Sequence, residues 1–378
     1  MLPVRALLSV FTINNVAHAG DLPARRSSSI SGLCEVADLE FDVGSHRLNV
    51  HGGAASTKTC TKLRPSWEMV DGASEAKMDS LLCDQVFEIG YFFKFKAHQP
   101  PGMFLRNVSI PLFKVLDKDA SSKAAVDQGV VLPAIEHADS GVIDWDTNFF
   151  LESSLIKNQL IQAIARGCNV LPLDKRLSAV NKTLCFRKAY FGVPELSDQE
   201  AANVLLAFVG RVKETLAIHK PKPDPKRQPR IGLALPLLHF RTNYVLPDYR
   251  RTIAKVIAGF AKAVEIDYSR LSLKEQVMQT QDLDVVLVAG SDATSLSSAL
   301  YLPPWGVVVR LSEETSGKKE DSVEHLLESR GVLLTATASP EASRSLNDVP
   351  VFGDNTISNI EHVLRKAVAI VQHNLQKL

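Results

Sequence analysis

The chain lacks most of the features that would mark a specialised class. Its 378 residues hold 43 Lys or Arg against 42 Asp or Glu, so no charge of one sign accumulates, and a general nucleic-acid surface is not expected. Only five cysteines occur, Cys34, Cys60, Cys83, Cys168 and Cys185, none in a C-x-x-C pair, which excludes a zinc ribbon and a dithiol redox motif. His46, His51, His98, His137, His239 and His325 have no paired spacing and no neighbouring cysteine, so no metal cluster is expected. G-x-S-x-G, Walker and G-x-G-x-x-G signatures are missing, which argues against hydrolase, NTPase and dinucleotide readings. What is present, 45% hydrophobic and 22% charged residues, is ordinary globular usage and excludes wholesale disorder, collagen and coiled coil. At this length two domains are expected.

The start, MLPVRALLSVFTINNVAHAG, carries Arg5, a short apolar run from Ala6 to Ile13 and an Ala17-His18-Ala19 triplet before Gly20. That is the pattern of a secretory signal over residues 1–19, with an apolar N-terminal strand as the alternative. The run is too short to span a bilayer, so membrane association is expected only through this N-terminus. Two sequons, Asn107-Val108-Ser109 and Asn181-Lys182-Thr183, fit a lumenal or secreted protein of the endoplasmic reticulum or Golgi. In that compartment disulfides are expected among the first three and the last two cysteines, with one thiol left over. Five buried reduced cysteines are the competing reading.

Residues 20–218 form the expected N-terminal α/β domain. Residues 21–85 read as irregular, with Ser27–Ser31, Gly52-Gly53 and Gly72 as loop signals. The aromatic run VFEIGYFFKFKA at 86–97 predicts a strand and VSIPLFKVL at 108–116 a second. Helical spacing of apolar residues covers 149–166, a short strand follows at 169–174, and a helix from Ser197 to Ile218 opens on a capping box closed by Glu200. His219–Arg230, HKPKPDPKRQPR, holds four prolines and no aliphatic side chain, so it is expected as an exposed connector between domains.

Residues 231–356 alternate strand and helix: strands at 231–238, 264–267, 283–290, 306–311 and 332–337, with helices at 249–264, 271–280 and 293–302. Short connections in such an alternation imply a parallel, doubly wound sheet whose ligand sits beyond the carboxyl ends of the strands. Residues 357–378 predict a C-terminal helix, placed against the N-terminal domain. The turn Ala289-Gly290-Ser291-Asp292-Ala293-Thr294 joins a buried strand to a helix start, where free amides favour an anion and Asp292 suits a ribose or base hydroxyl. A plain capped helix is the structural reading of the same residues. Trp305 reads as core packing rather than as a stacking platform.

Val264–Leu311 resembles the C-terminal signature of glycosyltransferase family 61, the group that includes plant β-1,2-xylosyltransferases and the EGF-domain-specific O-GlcNAc transferase. That signature runs from an E-Q dipeptide through an apolar strand into V-G-x-H-G-A-G-L-T, then through an aromatic-L-P-P turn to V-V-E-L. Glu275-Gln276, Leu287–Gly290, Leu296, Tyr301-Leu302-Pro303-Pro304 and Val307–Val309 match it without a gap. Leu184–Val193 is similar to the family's C-F segment, and Trp145–Leu155 to its G-H-F-x-x-D helix start. The polar positions depart from the pattern: Asp292 and Asn148 stand for its histidines, Glu152 for its aspartate and Arg310 for its glutamate.

The resemblance implies a GT-B arrangement of two Rossmann-like domains and inverting transfer of a sugar from a nucleotide sugar, UDP-linked, to a hydroxyl of a glycan or glycoprotein. It implies Arg241, then Arg250, as diphosphate contacts, and Gly290, Ser291, Asp292, Ala293, Thr294, Leu296 and Arg310 around the donor. Glu152 is the aligned catalytic carboxylate, with Asp144 and Asp146 nearby. No Asp-x-Asp sits at a strand end of the second domain, so no metal cofactor is expected. The changed polar positions raise a second reading, a catalytically inactive relative that keeps the cleft for binding or scaffolding.

Overall fold

The computed structural model describes residues 33–51, 67, 69–71, 81–96, 99–119, 129–136, 143–144, 155–165, 168–171, 182–219, 221–235, 247–289, 293–313, 322–329, 332–338 and 354–377. Strands β1 (Cys34–Asp42), β2 (Arg47–Val50), β3 (Met69–Asp71), β4 (Gln85–Lys96), β5 (Gly129–Glu136), β6 (Ile143–Asp144), β7 (Asn169–Val170) and β8 (Thr183–Phe191) make an eight-stranded sheet. Its order is β3-β2-β1-β8-β4-β5-β6, with β7 beside β5. β4 is parallel to β5 and β8, while β1 is antiparallel to β2 and β8.

The aromatic run in β4 is covered on both faces, which explains why it alternates only in part. Tyr91, Phe93 and Phe95 face one core, and Phe87 and Phe92 face another formed with Phe41, Trp67 and Phe191. The expected irregular stretch at 21–85 contains the β1–β2 hairpin instead. Its burial alternation slips at Asp38, whose φ of 48° breaks the period of two that marks a strand in sequence.

The expected strand at 108–116 is helical. Pro101–Phe104 (α1), a π-helical turn at Leu105–Ser109 and Ile110–Asp119 (α2) form one run. Leu105, Val108, Leu112 and Leu116 recur at helical spacing, and that period overrides the β-branched composition. Arg106, in the π turn, donates to Leu196 O at 2.7 Å and to Asp198 Oδ1 at 2.9 Å. α3 (Leu155–Ala165) and α4 (Asp198–Thr215) complete this half. α4 opens on the expected capping box of Ser197 with Glu200. The Ser197 amide and hydroxyl, with Lys114, hold the Glu200 carboxyl down at about 2.

The cysteines pair differently from the expected grouping. Cys83 is bonded to Cys185, because β4 and β8 are neighbours and Val86 lies beside Cys185. Cys34 is also disulfide-bonded, and Cys168 is in no disulfide.

The second half is β9 (Arg230–Ala234), α5 (Pro247–Ala258), β10 (Lys262–Glu265), a 3-10 turn (Tyr268–Arg270), α6 (Leu273–Gln281), β11 (Val285–Ala289), α7 (Ala293–Ala299), β12 (Val307–Glu313), α8 (Ser322–Ser329), β13 (Leu333–Ala338) and α9 (Asp354–Lys377). Its five strands are all parallel, in the order β10-β9-β11-β12-β13, which is the doubly wound sheet the alternation implies.

Helices α6, α7 and α8 pack against the helices of the first half. A continuous core runs from Phe93 and Phe208 to Val286, Leu296 and Leu326, so both sheets belong to one unit, Ser31–Leu378. The connector is anchored rather than free: Arg227 donates to Asp284 Oδ1 at 2.8 Å, although residues 222–226 stay exposed.

The C-terminal helix also corrects an expectation. The buried stripe of α9, Ile360, Leu364, Ala367, Val368 and Val371, packs with α5 on the outer face of the second sheet, against Val285, Val307 and Val309, not on the N-terminal half. Its apolar spacing matches the bare valine face that α5 alone leaves uncovered. Leu364, with no exposed surface, should cost about 3 kcal/mol of stability when replaced by alanine, read as a shift of the denaturant midpoint.

Candidate functional site

Parallel strands carry their free carbonyls and the following helix N-termini at one edge, and a reversal of strand order opens a crevice there. In the second sheet the reversal lies between β9 and β11. Register places Ala234 beside Val288, so the chain leaves both strands at adjacent points. The segment after β9 contains Arg241, and the segment after β11 contains Gly290, Ser291 and Asp292; these four lie outside the described residues, as do Asp146 and Glu152. Asp144 closes β6 at the edge of the first sheet, beside Ile135.

Several sequence-derived site residues can be placed. Ala293 opens α7. The Thr294 carbonyl accepts from the Ser298 hydroxyl at 2.9 Å. Leu296 has no exposed surface and sits in the core between the two halves, so it packs rather than touching a ligand. Arg250 lies in the first turn of α5, half-buried, and its Nε has no hydrogen-bond partner among the described residues. Arg310 stands on β12 between Val288 and Thr335. Its Nη1 donates to Glu324 Oε2 at 2.7 Å, and its Nε is buried without a partner among the described residues.

Arg310, placed around the donor by the resemblance, is thus ion-paired within the fold. Glu324 on α8 is 3% exposed, and an ion pair this deep neutralises most of the field that either group would project. Glu324 had no signal in the sequence; it becomes a partner only because α8 crosses β12. Two guanidinium groups with a buried, unpartnered Nε thus lie toward the carboxyl side of the sheet, one on each face, and each can still donate to an acceptor that enters.

The residues that carry the family resemblance are mostly structural. Glu275 closes a capping box with Ser272 at the start of α6, and the Ser272 hydroxyl and amide hold its carboxyl below the usual range. Gln276 is buried, donates to Tyr268 O at 2.8 Å and to Leu271 O at 3.1 Å, and accepts from Ser298 at 2.9 Å. Trp305, 3% exposed, packs in the core as the sequence implied and donates its indole N–H to Asp284 Oδ1 at 3.0 Å.

Asp284, at the amino end of β11, is a hub that the sequence reading missed. It accepts from Arg227 at 2.8 Å, from the Arg230 amide at 2.8 Å and from Trp305. The signal was its place at the start of an apolar strand, where a carboxylate is buried only if donors converge on it. Carboxylate and partners fasten the amino ends of the strands, leaving the opposite edge for ligand chemistry.

No protein-family model matches the chain, and no curated protein matches it. Among solved structures, the bacterial iron-containing dodecameric glycosyltransferase TibC from enterotoxigenic E. coli H10407 is similar over 92% of this chain and 92% of its own, at 10% sequence identity and a TM-score of 0.31.

Proposed function

We propose that the chain binds a nucleotide sugar, UDP-linked, at the carboxyl ends of β9 and β11 and transfers the sugar with inversion to a hydroxyl of a glycan or glycoprotein. The observation that carries this reading is the strand order, which makes β9 and β11 neighbours at the reversal of the sheet. The similarity of Val264–Leu311 to family 61 supplies the sugar chemistry. In this reading Arg241 and Arg250 neutralise the diphosphate, and Asp292 accepts from a ribose hydroxyl.

Glu152, with Asp144 and Asp146 as neighbours in sequence, takes the acceptor proton. The acceptor oxygen then bonds to the anomeric carbon as the bond to the diphosphate breaks, and UDP leaves with its charge held by the arginines. No metal is assigned a step. The Cys83–Cys185 disulfide supports a secretory-pathway lumen or secretion.

One observation favours a second reading. Arg310, one of the residues the resemblance places around the donor, is held by Glu324, and a site in which one cation is already neutralised suits a binding module without turnover.

Thermal unfolding with UDP and with UDP-sugars, followed by assay of released UDP, separates the two. Saturating UDP at a hundredfold excess over Kd should stabilise the chain by about 2.7 kcal/mol. Arg250→Ala should weaken that binding at least about tenfold, the value of a charge-assisted contact. Release of UDP from a UDP-sugar supports transfer, stabilisation without release supports the inactive module, and neither response contradicts both.

A further inference from the structure

A second site lies deeper, where the two halves meet. Helices α1, α3, α6 and α7 leave a crevice of about 340 Å³, counting the part open to solvent. Phe104, Leu160 and Leu273 form apolar walls, and the polar residues of the lining are Lys157, Gln276, Ser297, Ser298 and Tyr301. Ser298 has its own partners, Gln276 and the Thr294 carbonyl. Tyr301 does not: it is 2% exposed, and its hydroxyl is buried with no hydrogen-bond partner among the described residues. A phenol left this way carries an unrepaid desolvation cost, which an entering acceptor would relieve. Burial pushes the pKa of the phenol far above its usual value, so the group stays an O–H donor at any working pH.

Lys157 contributes the one amine of the lining. Lys157 is 7% exposed, donates to Gln99 O at 2.7 Å and sits 5.3 Å from the centre of the Phe104 ring. Desolvation brings its ammonium down to about 8. Among the described lining residues there is one basic side chain and no acidic one. An anion entering here would meet an ammonium and a phenolic donor over an apolar floor.

We propose that this crevice binds a small monocarboxylate with an apolar tail, the carboxylate accepting from Tyr301 Oη and Lys157 Nζ and the tail lying on the wall of Phe104, Leu160 and Leu273. Two donors match the two oxygens of one carboxylate. A phosphate would bring more charge and more acceptors than the lining can answer. The site is independent of the nucleotide-sugar reading, since Tyr301 lies beyond the C-terminal end of α7, away from the strand carboxyl ends.

Protonation gives the proposal a sign. The carboxylate favours the ammonium, so affinity should hold below pH about 8 and fall as the pH rises above that value, where Lys157 loses its charge before the ligand binds.

Calorimetric titration of the full chain with hexanoate, with 1-hexanol as the uncharged control, tests it. One saturable site for hexanoate is expected, with hexanol at least about tenfold weaker. Tyr301→Phe removes one hydroxyl and keeps the ring, so it should leave the melting temperature unchanged or higher and weaken hexanoate about tenfold. Lys157→Met should abolish the pH dependence along with most of the affinity. The proposal is overturned by absence of saturable heat up to about 10 mM hexanoate, by equal binding of hexanol, or by unchanged affinity in Tyr301→Phe.

Discussion

Replacing Cys83 with alanine should lower the unfolding free energy by about 4–5 kcal/mol, the stabilisation expected of a cross-link closing a loop of about 100 residues. The bond spans 102 positions, with Cα atoms 5.8 Å apart. It ties the entry of β4 to the middle of β8, the pair at the centre of the first sheet. Cys185→Ala should cost a similar amount, because Cys185 is fully buried and its alanine replacement adds no polar group. Urea unfolding of both variants beside the unreplaced protein, without reductant, measures the effect. The double variant should cost no more than about one single variant, since both remove the same bond. Additive losses would mean that the cysteines contribute by packing.

Asp284→Ala should cost about 3–5 kcal/mol, the penalty for leaving a charged partner and buried donors without their acceptor. The loss comes from three groups at once: the Arg227 guanidinium, the Arg230 amide and the Trp305 indole N–H. Asp284→Asn should recover only part of it. Its single carbonyl can face either the Arg230 amide or the Arg227 and Trp305 donors, and its NH2 then opposes the other set. Denaturant midpoints give both values, and the Trp305 fluorescence maximum should move as its N–H loses its partner. An Asp284→Asn variant as stable as the original would contradict this assignment. The double variant Asp284→Ala with Arg227→Met should regain stability by removing the uncompensated charge.

Much of the second sheet was legible because parallel strands buried on both faces read as apolar runs, and helices between them carry spaced apolar stripes. Ser197 and Ser272 marked their helices through capping boxes, which are local and need no tertiary context. The β1–β2 hairpin was not legible, since the positive φ at Asp38 shifts the alternation midway. Val108–Leu116 reads as a strand in sequence because its β-branched and aromatic residues outweigh the helical period that its burial follows.

At the candidate site the difference is sharper. Gln276 and Tyr301 belong to the stretch that resembles a family signature, yet Gln276 acts here through internal hydrogen bonds and the Tyr301 ring packs in the core. Glu324 acquires its role only through a contact between two separate elements, which no local pattern encodes. The arginine partners of Asp284 lie 57 and 54 residues earlier, although its place before an apolar strand was a local signal. The crevice at Lys157 and Tyr301 joins residues from both halves and was invisible for the same reason.

Amide hydrogen exchange with and without UDP tests the central claim most directly. Binding at the sheet reversal should slow exchange in peptides covering the first turn of α5, from Pro247, and the start of α7, from Ala293, while the amino-end cluster around Asp284 and Trp305 stays unchanged. Protection confined to that amino end, or no change anywhere at saturating UDP, would contradict the account.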